Sequence, residues 1–172
     1  RLAQEQPLRV LLVNAGEADA ITWAGLAQPL RLAATILGKD ALHLETMTPA
    51  QLAPAPPAHH HLALLVADEH QPPMAAAQAR AVIERCRAAD YWGGVGAGVL
   101  WLAEAGLMAG VRIALPWALY ADTEQINERA ILTPHLFELD GRHLSCCGGA
   151  ASIDFALTLI ECLFGATVQA AI

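Results

Sequence analysis

A chain of 172 residues has room for one ordinary domain, and with 55% hydrophobic residues it carries enough apolar mass for a large core, which excludes a disordered chain. The net charge is −7, Lys39 is the single lysine and the arginines are scattered, so no basic stripe offers phosphate contacts and the chain by itself is not expected to bind nucleic acid. Gly, Pro or charge interrupts every apolar run well short of the roughly 20 residues of a spanning helix, which argues against membrane insertion.

The elements read in chain order. Leu8 to Val13 is an almost continuous apolar run, the habit of a parallel strand buried on both faces. After Asn14-Ala15-Gly16, apolar residues fall at helical spacing from Ala20 to Leu37, with Gly38 as C-cap and Pro29 expected to kink or split the helix. Ala41 to Met47 reads as a second strand, and Pro49 to Pro57 as an exposed, stiffly extended loop. His61 to Ala67 is a third strand ending at Asp68; Pro72 and Pro73 open a helix over about Met74 to Ala88. Tyr91 to Val95 is a fourth strand, followed by Gly96-Ala97-Gly98 and a helix to Met108; Val111 to Leu115 is a fifth strand. Phe137 to Leu139 and His143 to Cys147 flank Asp140-Gly141 as a hairpin, and a last long helix runs from about Ala150 to Phe164, with another after Gly165.

Strands alternating with helices predict a single α/β domain with a doubly wound, mostly parallel sheet flanked by helices. Ligands of such sheets bind outside the C-terminal strand ends. That places a candidate site at Ala15 to Asp19, Asp68 to His70, Gly94 to Gly98, Pro116 to Trp117 and Cys147 to Ala150.

Several motifs have competing readings. The glycine-rich turn after the fourth strand lacks the Gly-Lys-Ser/Thr of a phosphate-binding loop and does not fit Gly-x-Gly-x-x-Gly in register, so no cofactor is expected. His59, His60 and His61 point in different directions on an extended chain and have no Cys or acid spaced nearby, so they read as a solvated loop and no metal is expected. Cys146 and Cys147 lie at a strand end near the site, where a reactive thiol competes with a simple need for small residues; Cys86 and Cys162 fall on helices and read as packing residues. Trp23 and Trp117 are the best-placed aromatics for a cationic amine, whereas Trp92 and Trp101 belong to the core. Glu17, Asp19 and Asp68 would balance an amine or cap helix starts. With no secretory signal after Arg1, the four thiols are expected reduced, in the cytoplasm.

One run is distinctive. Gly93-Gly94-Val95-Gly96-Ala97-Gly98, followed by Leu102-Ala103-Glu104-Ala105-Gly106-Leu107, resembles the nucleophile elbow of the ThiJ/PfpI superfamily, and more narrowly the amidotransferase-like sensor domain of AraC-family transcription regulators. Cys146-Cys147-Gly148-Gly149-Ala150-Ala151-Ser152-Ile153-Asp154-Phe155 and Gln28-Pro29-Leu30-Arg31 resemble two further signatures of those regulators, in the right order along nearly the whole chain. The resemblance implies a flavodoxin-like, class I glutamine amidotransferase-like fold over residues 1–172. It also implies a C-terminal helix-turn-helix module that this sequence lacks, a homodimer, a small-molecule effector, and contact with DNA only through that missing module. Catalytic members place Cys where this chain has Gly96, and many members place His where it has Pro116, before Trp117. Neither a thiolate nor its base is then present, which points to sensing rather than covalent catalysis. The expected ligand-binding residues are Glu17, Asp19, Trp23, Asp68, Gly94, Gly96, Ala97, Trp117, Cys147, Gly148 and Gly149, and the effector class is a small polar amine or amino acid. The alternative is a hydrolase or lyase of the same superfamily with Cys147 as a relocated nucleophile and His70 or His143 as base.

Overall fold

The structure is a computed structural model that describes residues 7–15, 20–68, 74–125 and 129–172. Six strands form the central sheet: β1 (Leu8–Asn14), β2 (Leu42–Met47), β3 (Leu62–Ala67), β4 (Tyr91–Gly96), β7 (Phe137–Asp140) and β8 (His143–Cys146). Their order is β2-β1-β3-β4-β8-β7, and every pairing is parallel except the β7–β8 hairpin. The order reverses between β1 and β3, the position where doubly wound sheets open a crevice at their carboxyl ends.

Side-chain alternation explains why β1 and β3 read as unbroken apolar runs. Leu11, Val13, Ala63 and Leu65 face one core with α3 (Ala76–Ala88) and α4 (Ala97–Glu104). Val10, Leu12, Leu64 and Val66 face the other, with α1 (Ala20–Leu37) and α5 (Ala151–Phe164). Successive residues point to opposite faces and both faces are covered, so neither face tolerates polar residues. Phe155 is fully buried in the second core, its ring 5.8 Å from that of Phe137. Helix α6 (Ala166–Ala170) follows the break at Gly165.

Five sequence expectations need correction. Helix α1 runs without interruption through Pro29, because Leu26, Ala27, Leu30 and Ala33 on both sides of it lie in one core and hold the two halves in line. The Pro-rich stretch begins as a helical turn, α2 (Pro49–Leu52), fixed by a capping box: Thr48 Oγ1 accepts the Gln51 amide at 3.2 Å and Gln51 Oε1 accepts the Thr48 amide at 2.9 Å. Val111 to Leu115 is no strand of the main sheet. Only β5 (Arg112–Ile113) is extended, paired in parallel with β6 (Ile131–Leu132) in a separate ribbon. The place beside β4 belongs to β8, and the Ala114 amide donates instead to the buried Ser145 hydroxyl at 2.9 Å. The segment is apolar because it packs into the first core.

The histidine run is the fourth correction. His60 is 1% exposed and lies 3.4 Å from Glu45, while His61 Nδ1 accepts the Arg9 amide at 3.0 Å and so ends the β1–β3 ladder. Burial outweighs the Glu45 attraction and lowers the His60 pKa. Cys86 is a buried core thiol as expected, but Cys162 is exposed on α5.

Phe155→Ala should destabilise the fold by about 3–5 kcal/mol, since a fully buried ring is removed from a core closed by sheet and helix. Urea denaturation followed by far-UV circular dichroism measures this, and a loss below about 1 kcal/mol would contradict the assigned packing.

Candidate functional site

A cleft of about 450 Å³ opens at the carboxyl ends of β3, β4 and β8. The floor is the turn from β4 into α4. Gly96 has φ 68° and ψ −134°, a left-handed conformation that L side chains rarely adopt. A Cβ at Gly96 would sit 2.3 Å from the Ala67 carbonyl oxygen, and one at Gly94 would sit 2.5 Å from the Val99 amide nitrogen. Backbone therefore occupies the space a side chain needs. The strained strand-to-helix turn of a nucleophile elbow is present, and its apical position is closed to any nucleophile.

One wall is the β8–α5 connection. Gly148 and Gly149 both have positive φ, and the Gly149 amide donates to Thr22 Oγ1 of α1 at 2.8 Å. The Gly148 amide faces Cys146 Sγ at 3.4 Å. Cys147 lines the cleft and is half-buried; its thiol pKa is lowered to about 7, chiefly because the adjacent Cys146 thiol hydrogen-bonds to it, with burial working in the opposite direction. The same bond and its own burial push Cys146 upward, so the pair gives up its first proton from Cys147.

The opposite wall comes from Leu115, Pro116, the 3-10 segment Trp117–Gln125 and the loop Pro134-His135-Leu136. Trp117 is 83% exposed at the rim, with Tyr120 beside it in the same segment. His135 Nδ1 hydrogen-bonds Glu138, which also accepts the Thr133 hydroxyl at 2.9 Å. Glu138 is nearly buried, and the His135 bond holds its carboxyl below the ordinary 4.5 despite desolvation. A carboxylate acceptor makes His135 Nδ1 the donor and leaves Nε2 as the ring's other polar atom.

Of the residues expected from the sequence, Asp68, Gly96, Trp117, Cys147, Gly148 and Gly149 line this cleft. Gly94 and Ala97 do not: both are buried where β4 meets α4. Trp23 is half-buried and packs against the α1–α5 core instead. Glu17, Asp19 and His70 lie outside the described residues. His143 stacks edge-to-face on Trp92 with ring centroids 4.7 Å apart, at the β8 end remote from Cys147. Sequence reasoning missed Thr22, Tyr120 and His135. An imidazole reaches the cleft from the loop before β7, which no local motif announces. The histidine run also acquires an acid that the sequence hides. His59 Nε2 lies 3.0 Å from Asp90 Oδ1, and a ligand atom of His61 is within 4.8 Å of both; the Arg9 amide already occupies His61 Nδ1.

No family model matches the chain. Among solved structures, an AraC family transcriptional regulator from Pseudomonas putida superposes with a TM-score of 0.76 at 17% identity, covering 96% of this chain and 97% of that one. A ThiJ/PfpI family protein from Pseudomonas syringae gives 0.72 at 15% identity, covering 98% and 74%. The fold is that of the ThiJ/PfpI superfamily. The chain is also similar in sequence to the HTH-type transcriptional regulator ArgR of Pseudomonas aeruginosa, with 34% identity over 108 residues, 63% of this chain. It spans 33% of the length of that relative. Among the described residues, no helix is long and apolar enough to cross a membrane.

Glu138 carries a pH signature. A carboxyl whose folded pKa is depressed stabilises the fold above its unfolded value, and that contribution is lost as pH falls through the folded value. Urea midpoints measured below pH 4.5 should fall less steeply in Glu138→Gln than in the parent. Identical slopes would remove the His135–Glu138 pair from the account.

Proposed function

We propose that this chain is the effector-sensing domain of an AraC-type transcriptional regulator, non-catalytic at its elbow, which binds a small polar nitrogen compound in the cleft. The observation that carries this reading is the closed elbow beneath an open cleft. The Ala67 carbonyl fills the place of a nucleophile's Cβ, while about 450 Å³ above it stays open. A cleft that keeps its volume without an apical nucleophile is suited to binding rather than turnover.

The lining favours a cation. Asp68 supplies an acid, Trp117 and Tyr120 supply aromatic faces, and no Lys or Arg is among the described lining residues. An ammonium group held between a carboxylate and aromatic faces gains Coulomb and cation–π stabilisation together. The similarity to a helix-turn-helix regulator supports an output through a DNA-binding module outside this chain. Ile21, Leu32 and Ile36 of α1 and Ile153 of α5 leave apolar surface exposed, which suits a homodimer relaying the effector signal. The compartment that goes with such a regulator is the cytoplasm.

A second reading, a hydrolase or lyase using Cys147, is favoured by His135 lining the same cleft. Its test is turnover lost in Cys147→Ser.

A thermal-shift panel of small amines and amino acids should yield a compound that raises Tm. Trp117→Ala should weaken binding of that compound about tenfold, with the unliganded Tm unchanged, because Trp117 is exposed and adds little to the core. A panel without hits, or a hit indifferent to Trp117→Ala and Asp68→Asn, would count against the amine reading.

A further inference from the structure

The histidine run that leads into β3 holds chemistry that the cleft does not use. Burial alternates along it: His59 is exposed, His60 is 1% exposed and His61 is half-buried. Alternation of this kind sets His59 and His61 on one face, with His60 turned inward between them as an anchor. The two outer rings meet edge-to-face, their centroids 5.2 Å apart. Asp90 reaches the same face from the residue before β4. His59 Nε2 lies 3.0 Å from Asp90 Oδ1, and one ligand atom from each of His59, His61 and Asp90 falls within 4.8 Å of the other two. The backbone beneath these side chains is well held. The Asp90 amide donates to the His60 carbonyl at 3.2 Å and the Tyr91 amide to the His61 carbonyl at 2.8 Å, while Arg142 Nε donates to the Asp90 carbonyl at 2.7 Å.

We propose that His59, His61 and Asp90 bind a divalent transition-metal ion of the zinc class, at the end of the sheet opposite the cleft. Two imidazoles and a carboxylate are donors that such an ion takes. The His59–Asp90 pair alone would be an exposed ion pair of little consequence, and the convergence of His61 on both is what makes a donor set. A zinc ion holds imidazole and carboxylate ligands at about 2.0–2.2 Å, which brings the ligand atoms to roughly 3–4 Å from one another. The side chains of His59 and Asp90 are 54% and 50% exposed, so they have room to close the difference. His61 makes one exchange. Its Nδ1 accepts the Arg9 amide at 3.0 Å, so the neutral ring carries its hydrogen on Nε2. To give a lone pair to the ion through either nitrogen, the ring releases that amide to water at the start of β1. The ion thus ties the start of β3 to the start of β4 and is sensed by β1 through Arg9. Three protein donors leave the remaining coordination positions to water.

The probe is zinc chloride, titrated by calorimetry into the intact, tag-free chain after treatment with EDTA, with nickel chloride as a second probe. Binding should saturate with His59, His61 and Asp90 all engaged, and zinc should raise the Tm of the parent chain. His59→Ala, His61→Ala and Asp90→Asn should each weaken binding more than about tenfold, since even the outer partners of metal ligands are worth about 10–100-fold in affinity. His59 and Asp90 are half exposed, so His59→Ala and Asp90→Asn should keep the metal-free Tm and separate lost binding from lost folding. In amide NMR spectra the Arg9 resonance should move with those of His59, His61 and Asp90 and saturate at the same zinc ratio. Zinc that does not saturate, or that binds His59→Ala and Asp90→Asn as tightly as the parent, overturns the proposal. So do shifts gathered at His135 and Cys147 instead, which would place the ion in the cleft. Binding indifferent to His61→Ala, or an Arg9 amide that zinc leaves unmoved, overturns the three-donor site.

Discussion

The end of β4 lies so close to the end of β3 that the Ala67 carbonyl oxygen stands 2.3 Å from where a Gly96 side chain would begin. Much of the site follows from that approach. It explains why the residue at the turn is glycine, since both the positive φ and the clash exclude a side chain. Glycine at Gly98 follows too, because a Cβ there would meet the Leu65 carbonyl at 2.1 Å. Helix α4 thus starts flush against β3, and the cleft above it has a floor of backbone rather than of reactive side chain. The elbow geometry is retained while the position it would present is filled, so restoring a cysteine at Gly96 would demand that two strands part.

The polar chemistry is correspondingly displaced to the rim. Cys147 enters from β8, His135 from the loop before β7, Asp68 from the end of β3 and Trp117 from the 3-10 segment. None of these touches the elbow through sequence proximity; the sheet order β3-β4-β8 brings them together. These polar groups stand around a cleft whose floor at Gly96 is backbone. The Thr22–Gly149 bond ties α1 to the start of α5 at the cleft wall, the two helices that carry exposed Ile21, Leu32, Ile36 and Ile153.

Most of the architecture was legible in the sequence because it rests on local signals. Continuous apolar runs gave β1 and β3, Asp140-Gly141 marked the β7–β8 hairpin, and Gly38, whose amide bonds the Ala34 carbonyl, ended α1. The turn at Pro49–Leu52 rests on a local capping box, but the other failures share a cause, burial supplied by distant residues. Val111 to Leu115 is as apolar as a sheet strand, yet Ser145 and the first core account for it. His60 looks like a solvated loop residue until Glu45 and Arg9 close around it. The site was half legible. Glycines and Cys147 at strand ends follow from topology, but His135 lies on an irregular loop, and Trp23 was drawn into the core by a helix face whose direction composition does not reveal.

The most direct test of a closed elbow beneath a working cleft is an amide NMR titration of the chain with the best stabilising amine. The account predicts saturable shifts concentrated at Asp68, Gly96, Trp117, Gly148 and Gly149, with the amine recovered unchanged. Shifts confined to other parts of the chain, or consumption of the compound during the titration, would contradict it.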